Sequence, residues 1–228
     1  MLDLRVVSIG TLSAHPLWGE RAPVRTGHST CTLVRSGAVT LLIDPGLPEQ
    51  ALTARLAERA NLRPEAVTHV FLTSFHPDTH RGIGAFKEAT WWISKAEREG
   101  VGLPLIQQLK KANDDGEAEA VELLKRQVEV LHRCEEAPET LADRVDVFPL
   151  PGLTPGMTGV LVEEPELTTL VCGDAVPTVE HLRRRMVLPG CASVEKAKES
   201  FAEALQIADV LVMGRDGVVM NTVDMGAI

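Results

Sequence analysis

The chain has 228 residues, 44% apolar and 24% charged, with no tyrosine and a formal charge of −9. Such a balance suits a globular protein with a substantial core, and it argues against a surface built for nucleic-acid phosphates, stacked bases or anionic lipid. No apolar run reaches the ~18 residues of a membrane span, and the start MLDLRVVSIG lacks the basic-then-apolar pattern of a leader. The four cysteines, Cys31, Cys134, Cys172 and Cys191, show no C-x-x-C spacing. Free thiols in a reducing cytoplasm are the expectation.

In chain order, Leu4 to Ile9 reads as a strand. Thr30–Arg35 and Val39–Ile43 form a hairpin signal around Ser36-Gly37, and the second strand stops at Asp44-Pro45-Gly46. LPEQALTARLAERANL places Leu52 and Leu56 on one helical face, with Pro48 and Glu49 suited to its first turn. A buried strand AVTHVFLTS follows, then a short one at Trp91–Ile93. Residues from about 101 to 137 have helical composition, broken at Asn113-Asp114-Asp115-Gly116. RVDVFPLPG is strand-like, and MTGVLVEEPELTTLVCGDAV is a second hairpin signal. SVEKAKESFAEALQIA is an amphipathic helix, and DVLVMGRDG is a closing strand and turn.

Polar turns follow the apolar strands: Asp44 in LLIDPG, the loop TSFHPDTH at 73–80, PLPGLTPGMTG at 149–159, Asp174 in LVCGDAV, and Arg215-Asp216 in VMGRDG. Strand ends are where scaffolded sites tend to sit. The set, in this order, resembles the metallo-β-lactamase superfamily over nearly the whole chain. That resemblance implies an α+β, four-layer αββα sandwich spanning 1–228 as one domain, with 101–137 as a helical insertion. It also implies a metal-dependent hydrolase site at one edge of the two sheets.

The family pattern His-x-His-x-Asp-His, aligned on THVFLTSFHPDTH, falls on Ser74, His76, Asp78 and Thr79, with His80 one residue late. The element TPGHT reads TPGMT here, placing Met157 at a ligand position. Asp174 matches the bridging aspartate, Asp44 the orienting aspartate of LIDPG, and Arg215 stands where a final histidine is expected. By this resemblance only His76, Asp78 and Asp174 keep metal-ligand side chains. Ser74, Thr79, Met157 and Arg215 have replaced imidazoles, too few ligands remaining for a dinuclear centre.

A guanidinium cannot be deprotonated and matches carboxylates geometrically. The leading expectation is therefore that Arg215 pairs with Asp78 and Asp174, that no cofactor is resident, and that the degraded site binds a ligand rather than hydrolysing one. The alternative is one Zn, Mn or Fe ion held by His76, Asp78, His80 and Asp174, with Asp78 as the candidate catalytic residue, acting on an ester, thioester or lactone. His28 and His181 lie beside motif turns and could approach the site. Arg183-Arg184-Arg185 reads first as a solvated helix face. The insertion fits a lid or a homodimer surface, and the partners expected are a small molecule and a second copy, not nucleic acid or membrane.

Overall fold

The computed structural model describes residues 2–222; residue 1 and residues 223–228, part of the expected extent, lie outside the described residues. One mixed sheet holds β1 (Leu2–Ser8), β2 (Cys31–Ser36), β3 (Val39–Ile43), β4 (His69–Leu72), β5 (Thr90–Ile93) and β6 (Glu135–Glu136), side by side in that order. The other holds β7 (Thr140–Ala142), β8 (Val145–Pro149), β9 (Thr158–Glu164), β10 (Leu167–Gly173), β11 (Val210–Met213) and β12 (Val218–Met220), likewise in sequence order. β2 and β3 pair antiparallel with Ser36 opposite Val39, and Gly37 takes the positive φ of 59° that the tight turn requires. Where a helix intervenes, the pairing turns parallel: β3 with β4 across α1 (Glu49–Ala60), and β10 with β11 across α5 (Val179–Arg184) and α6 (Val194–Ile207).

Alternation along the strands sorts the core into three layers. Leu41, Ile43 and Phe71 point inward to meet Val145, Val160, Val171 and Val212 of the facing sheet. Their neighbours Leu42, Val70 and Leu72 point outward against Leu52 and Leu56 of α1. On the far side, Leu170, Cys172 and Leu211 pack against Phe201, Ala204 and Leu205 of α6. Helix, sheet, sheet, helix is the resulting order, the αββα arrangement expected.

The helical insertion is a hairpin of α3 (Lys95–Asp114) and α4 (Ala118–Arg133), starting six residues before the expected boundary and broken where the Asn-Asp-Asp-Gly run predicts. Two features differ from the sequence reading. β12 continues the second sheet beyond the expected closing turn, and residues 77–80, expected as part of the 73–80 loop, form a helical turn, α2 (Pro77–His80).

Candidate functional site

Parallel strands β3, β4, β10 and β11 all end at the same edge, so the segments that follow them converge there. Asp44 comes directly after β3 with φ 51°, a left-handed conformation that Asp tolerates better than most residues. Its buried carboxylate accepts hydrogen bonds from the Thr73 N–H (2.9 Å) and the Thr73 hydroxyl (2.6 Å). Burial pushes the Asp44 carboxyl up to about 7, against the opposing effect of those two donors.

After β4, His76 caps α2. Its Nδ1 accepts the Asp78 N–H at 3.2 Å, while the Thr79 hydroxyl lies 2.8 Å from both the Ser74 and His76 carbonyl oxygens. Thr79 is therefore occupied in holding the loop. The neutral His76 ring carries its proton on Nε2, and burial lowers its pKa despite the Asp78 charge nearby. Pro77 at the first helical position starts the turn that carries Asp78 toward the second sheet.

Asp174 follows Gly173, whose φ of 51° and lack of a Cβ let the turn pass the Thr73 hydroxyl, which an added Cβ would meet at 2.7 Å. Arg215 follows β11 and is fixed through its own N–H to the Pro177 carbonyl (2.8 Å). Its guanidinium grips Asp174 in a two-pronged contact, Nε to Oδ1 and Nη2 to Oδ2, both 2.7 Å. The third nitrogen, Nη1, donates to Asp78 Oδ2, also at 2.7 Å. Asp78 Oδ1 takes Arg81 Nη2 at 2.9 Å. Two carboxylates thus face two guanidinium groups, and their charges cancel. Burial alone would raise the Asp174 carboxyl, but the Arg215 guanidinium outweighs it and holds the group below the usual range. Arg215 is shifted up in turn, chiefly by Asp174 against the opposing effect of burial.

Ser74, His76, Asp78, Asp174 and Arg215 line one cavity of about 350 Å³, closed on the other side by Ser13, Leu153, Thr154 and Leu188. The remaining candidates are elsewhere. The His80 ring stacks on Phe75 with centroids 4.6 Å apart and lines a different cavity with Trp91 and Arg126. Burial lowers its pKa to about 4. Met157 is buried in the core beside Leu150 and Cys172. His181 is buried against the Thr178 hydroxyl (2.8 Å), and His28 Nε2 sits 3.1 Å from the Ile9 carbonyl. Arg183 and Arg184 are exposed.

Two residues that the sequence reading did not single out support the cavity. Arg81 is one. The other is Glu97, fully buried in the first turn of α3, whose carboxylate accepts the Phe75 N–H (2.8 Å), the Gly156 N–H (3.2 Å) and the Thr154 hydroxyl (2.7 Å). It ties the 73–80 loop to the 151–158 turn. Its signal was present: Ser94 followed three residues later by Glu97 is a helix-start pattern, and the Ser94 hydroxyl does accept the Glu97 N–H.

The sequence profile of the metallo-β-lactamase superfamily matches residues 24–208. The chain belongs to that superfamily. No curated protein sequence matches it. Among solved structures it is similar to a Thermotoga maritima protein assigned to the metallo-β-lactamases, at 17% identity and a TM-score of 0.69 over 96% of this chain and 99% of that one. It is also similar to hydrolase AbOPH of the β-lactamase superfamily (18%, TM-score 0.66, 96% and 86% covered). A third is AidC, a dizinc quorum-quenching lactonase (19%, TM-score 0.66, 84% and 74% covered). At these identities the likeness is one of fold.

A superfamily metal centre needs about three nitrogen, oxygen or sulfur ligands per ion. Here both oxygens of Asp174 and both of Asp78 are engaged by guanidinium groups, the His76 Nδ1 lone pair is used by the backbone, and His80 faces away. Among the described residues no three His, Cys, Asp or Glu side chains form a group that could hold a metal ion. So arranged, the donor set does not fit the centre that the family implies.

Proposed function

We propose that this superfamily member has given up metal-dependent hydrolysis and uses the cavity at Arg215 to bind a small molecule. The observation that carries the reading is the set of three 2.7 Å contacts from one guanidinium to Asp174 and Asp78. A guanidinium supplies the positive charge the carboxylates need. It can neither bind a water molecule as a Lewis acid nor lower its pKa, which is what a metal contributes to hydrolysis. With the local charges cancelled, the cavity suits an uncharged ligand carrying a hydrogen-bond acceptor, which the His76 Nε2–H and the remaining Arg215 N–H groups can satisfy.

We place the protein in the cytoplasm, in keeping with its four free cysteines; no helix among the described residues is long and apolar enough to cross a membrane. The formal charge of −9 supports a partner other than nucleic acid.

The competing reading, a hydrolase of an ester, thioester or lactone with one rebuilt metal, draws on the similarity to AidC and AbOPH. It needs the His80 ring to leave Phe75 and join His76, Asp78 and Asp174. Zinc titration of the chelator-treated protein separates the two. Wild type is expected to bind well below one zinc per chain, whereas Arg215→His, which exchanges a cation for an imidazole between two carboxylates, binds more tightly. Near-stoichiometric zinc in wild type, lost in Asp174→Ala, would overturn the proposal and establish the metal site.

A further inference from the structure

The outer face of α3 carries an order of residues that its own fold does not use. Lys95, Glu99, Leu103, Ile106, Lys110 and Asp114 recur at helical spacing, within an arc of roughly 100° at ~100° per residue, and all six are exposed. Leu103 and Ile106 are 70% and 55% accessible, large values for aliphatic side chains in the middle of a helix. The face that α3 turns to the protein is another one, with Glu97, Leu105 and Ala112 buried. Among the described residues none of the four charged side chains makes an ion pair.

The order is self-complementary. When two copies of a helix lie antiparallel about a two-fold axis between Pro104 and Leu105, residues equally far from that point on opposite sides come level. Glu99 of one copy then meets Lys110 of the other, Lys95 meets Asp114, and Leu103 meets Ile106. Every charged position faces its opposite, twice over by symmetry, and the apolar pair falls at the centre. A parallel arrangement would instead set like against like at each level. We propose that α3 is a homodimerisation surface and that the second copy docks antiparallel on this stripe.

A single helix pair buries less than the ~1,200–2,000 Å² of a standard stable interface, so the association is weak and concentration-dependent. It acts on the helix whose first turn, through Glu97, holds both loops of the Arg215 cavity, although the inference stands independently of what that cavity binds.

Sedimentation velocity over a concentration series up to roughly 1 mM, the range of weak association, tests it with the full chain. Wild type is expected to shift from monomer toward dimer. Glu99→Lys and Lys110→Glu each place like charges together at both ends and weaken the dimer at least tenfold. The double variant Glu99→Lys/Lys110→Glu recreates the pairing with signs exchanged and restores it. Leu103→Asp remains monomeric. All these positions are exposed, so circular dichroism should match wild type throughout. A wild type that stays monomeric overturns the proposal. So does a dimer indifferent to the single charge reversals, or one that the double reversal fails to rescue.

Discussion

Asp44 and Asp174 hold corresponding places in the two sheets. Each follows the end of a strand in the sandwich interior, each is buried, and each sits at or beside a left-handed turn residue, Asp44 itself and Gly173. Their partners separate them. Asp44 is held by an N–H and a hydroxyl from Thr73, which give each oxygen one donor but bring no charge, and its carboxyl rises to about 7. Asp174 receives two N–H donors of a guanidinium, which give each oxygen one donor and cancel its charge, and it is held below the usual carboxylate range. A buried carboxylate can therefore be kept hydrogen-bonded without a cation, but it is kept ionised by one. In this fold Arg215 is the cation that Asp174 has.

Breaking that difference at its stronger side should have the largest effect. Arg215→Met removes the cation, keeps most of the side-chain volume, and leaves Asp174 ionised, buried and unpaired. Removing one partner of a buried pair costs about 3–5 kcal/mol, to be read at pH 7 by urea unfolding. Without the arginine, Asp174 should titrate above its unfolded value, so the variant's folded state binds the extra proton and its deficit shrinks from pH 7 toward pH 5. A variant within 1 kcal/mol of wild type at pH 7 would mean that Arg215 does not compensate these carboxylates.

Where sequence reading succeeded and where it failed follows from what kind of information each feature needs. The β2–β3 hairpin, α1 and α6 were legible because Ser36-Gly37 and the spacing of Leu52 and Leu56 encode local geometry. Asp78, Asp174 and Arg215 were legible as a group because each lies just beyond an apolar strand and their order resembles the metallo-β-lactamase pattern; the structure adds that parallel pairing of β3 with β4 and of β10 with β11 brings those strand ends to one edge. His80 was not. Alternation puts His76, Asp78 and His80 on one side of an extended segment, but Pro77 begins a helical turn, in which positions two apart diverge by roughly 200°. The imidazole consequently meets Phe75 instead of the cavity. Arg81 and Glu97 escaped because their partners, Asp78 and the Phe75 and Gly156 amides, are set by tertiary packing. β12 is three residues long, with too little periodicity to separate it from a turn.

Glu97 sharpens the comparison, because it is a second buried carboxyl of the Asp44 kind, satisfied by donors without a cation and raised by burial. Glu97→Ala orphans the Phe75 and Gly156 amides and the Thr154 hydroxyl together. An unsatisfied buried donor costs about 1–3 kcal/mol, and with partial relaxation we expect about 2–3 kcal/mol for the set. Hydrogen exchange locates the effect: the Phe75 and Gly156 amides should lose protection while the β2–β3 hairpin keeps its own. Uniform loss across the protein would show that Glu97 serves global stability rather than the two cavity loops.

The finest test exploits the sign of the Asp44 shift. Its folded pKa of about 7 lies above the unfolded value near 3.8. The folded state therefore holds the proton more tightly, and Asp44's contribution is fully present below about pH 4 and is lost as pH rises through 7. Asn reproduces the neutral form, keeping an oxygen for the Thr73 N–H and an amide that the Thr73 hydroxyl can accept. Asp44→Asn should accordingly lie within about 1 kcal/mol of wild type at pH 5 and gain on it by pH 8, where wild type must bury a charge and the variant does not. Asp174→Asn should instead lose to wild type by an amount that stays constant between pH 5 and 8, because Asp174, held below the usual carboxylate range by Arg215, is ionised in folded and unfolded chains alike over that interval and titrates only below about pH 4. Paired urea titrations at pH 5 and 8 give both differences. A sloping difference for Asp44→Asn beside a flat one for Asp174→Asn is what two buried carboxylates without and with a cation require, and the same pH dependence in both variants would remove the distinction between them.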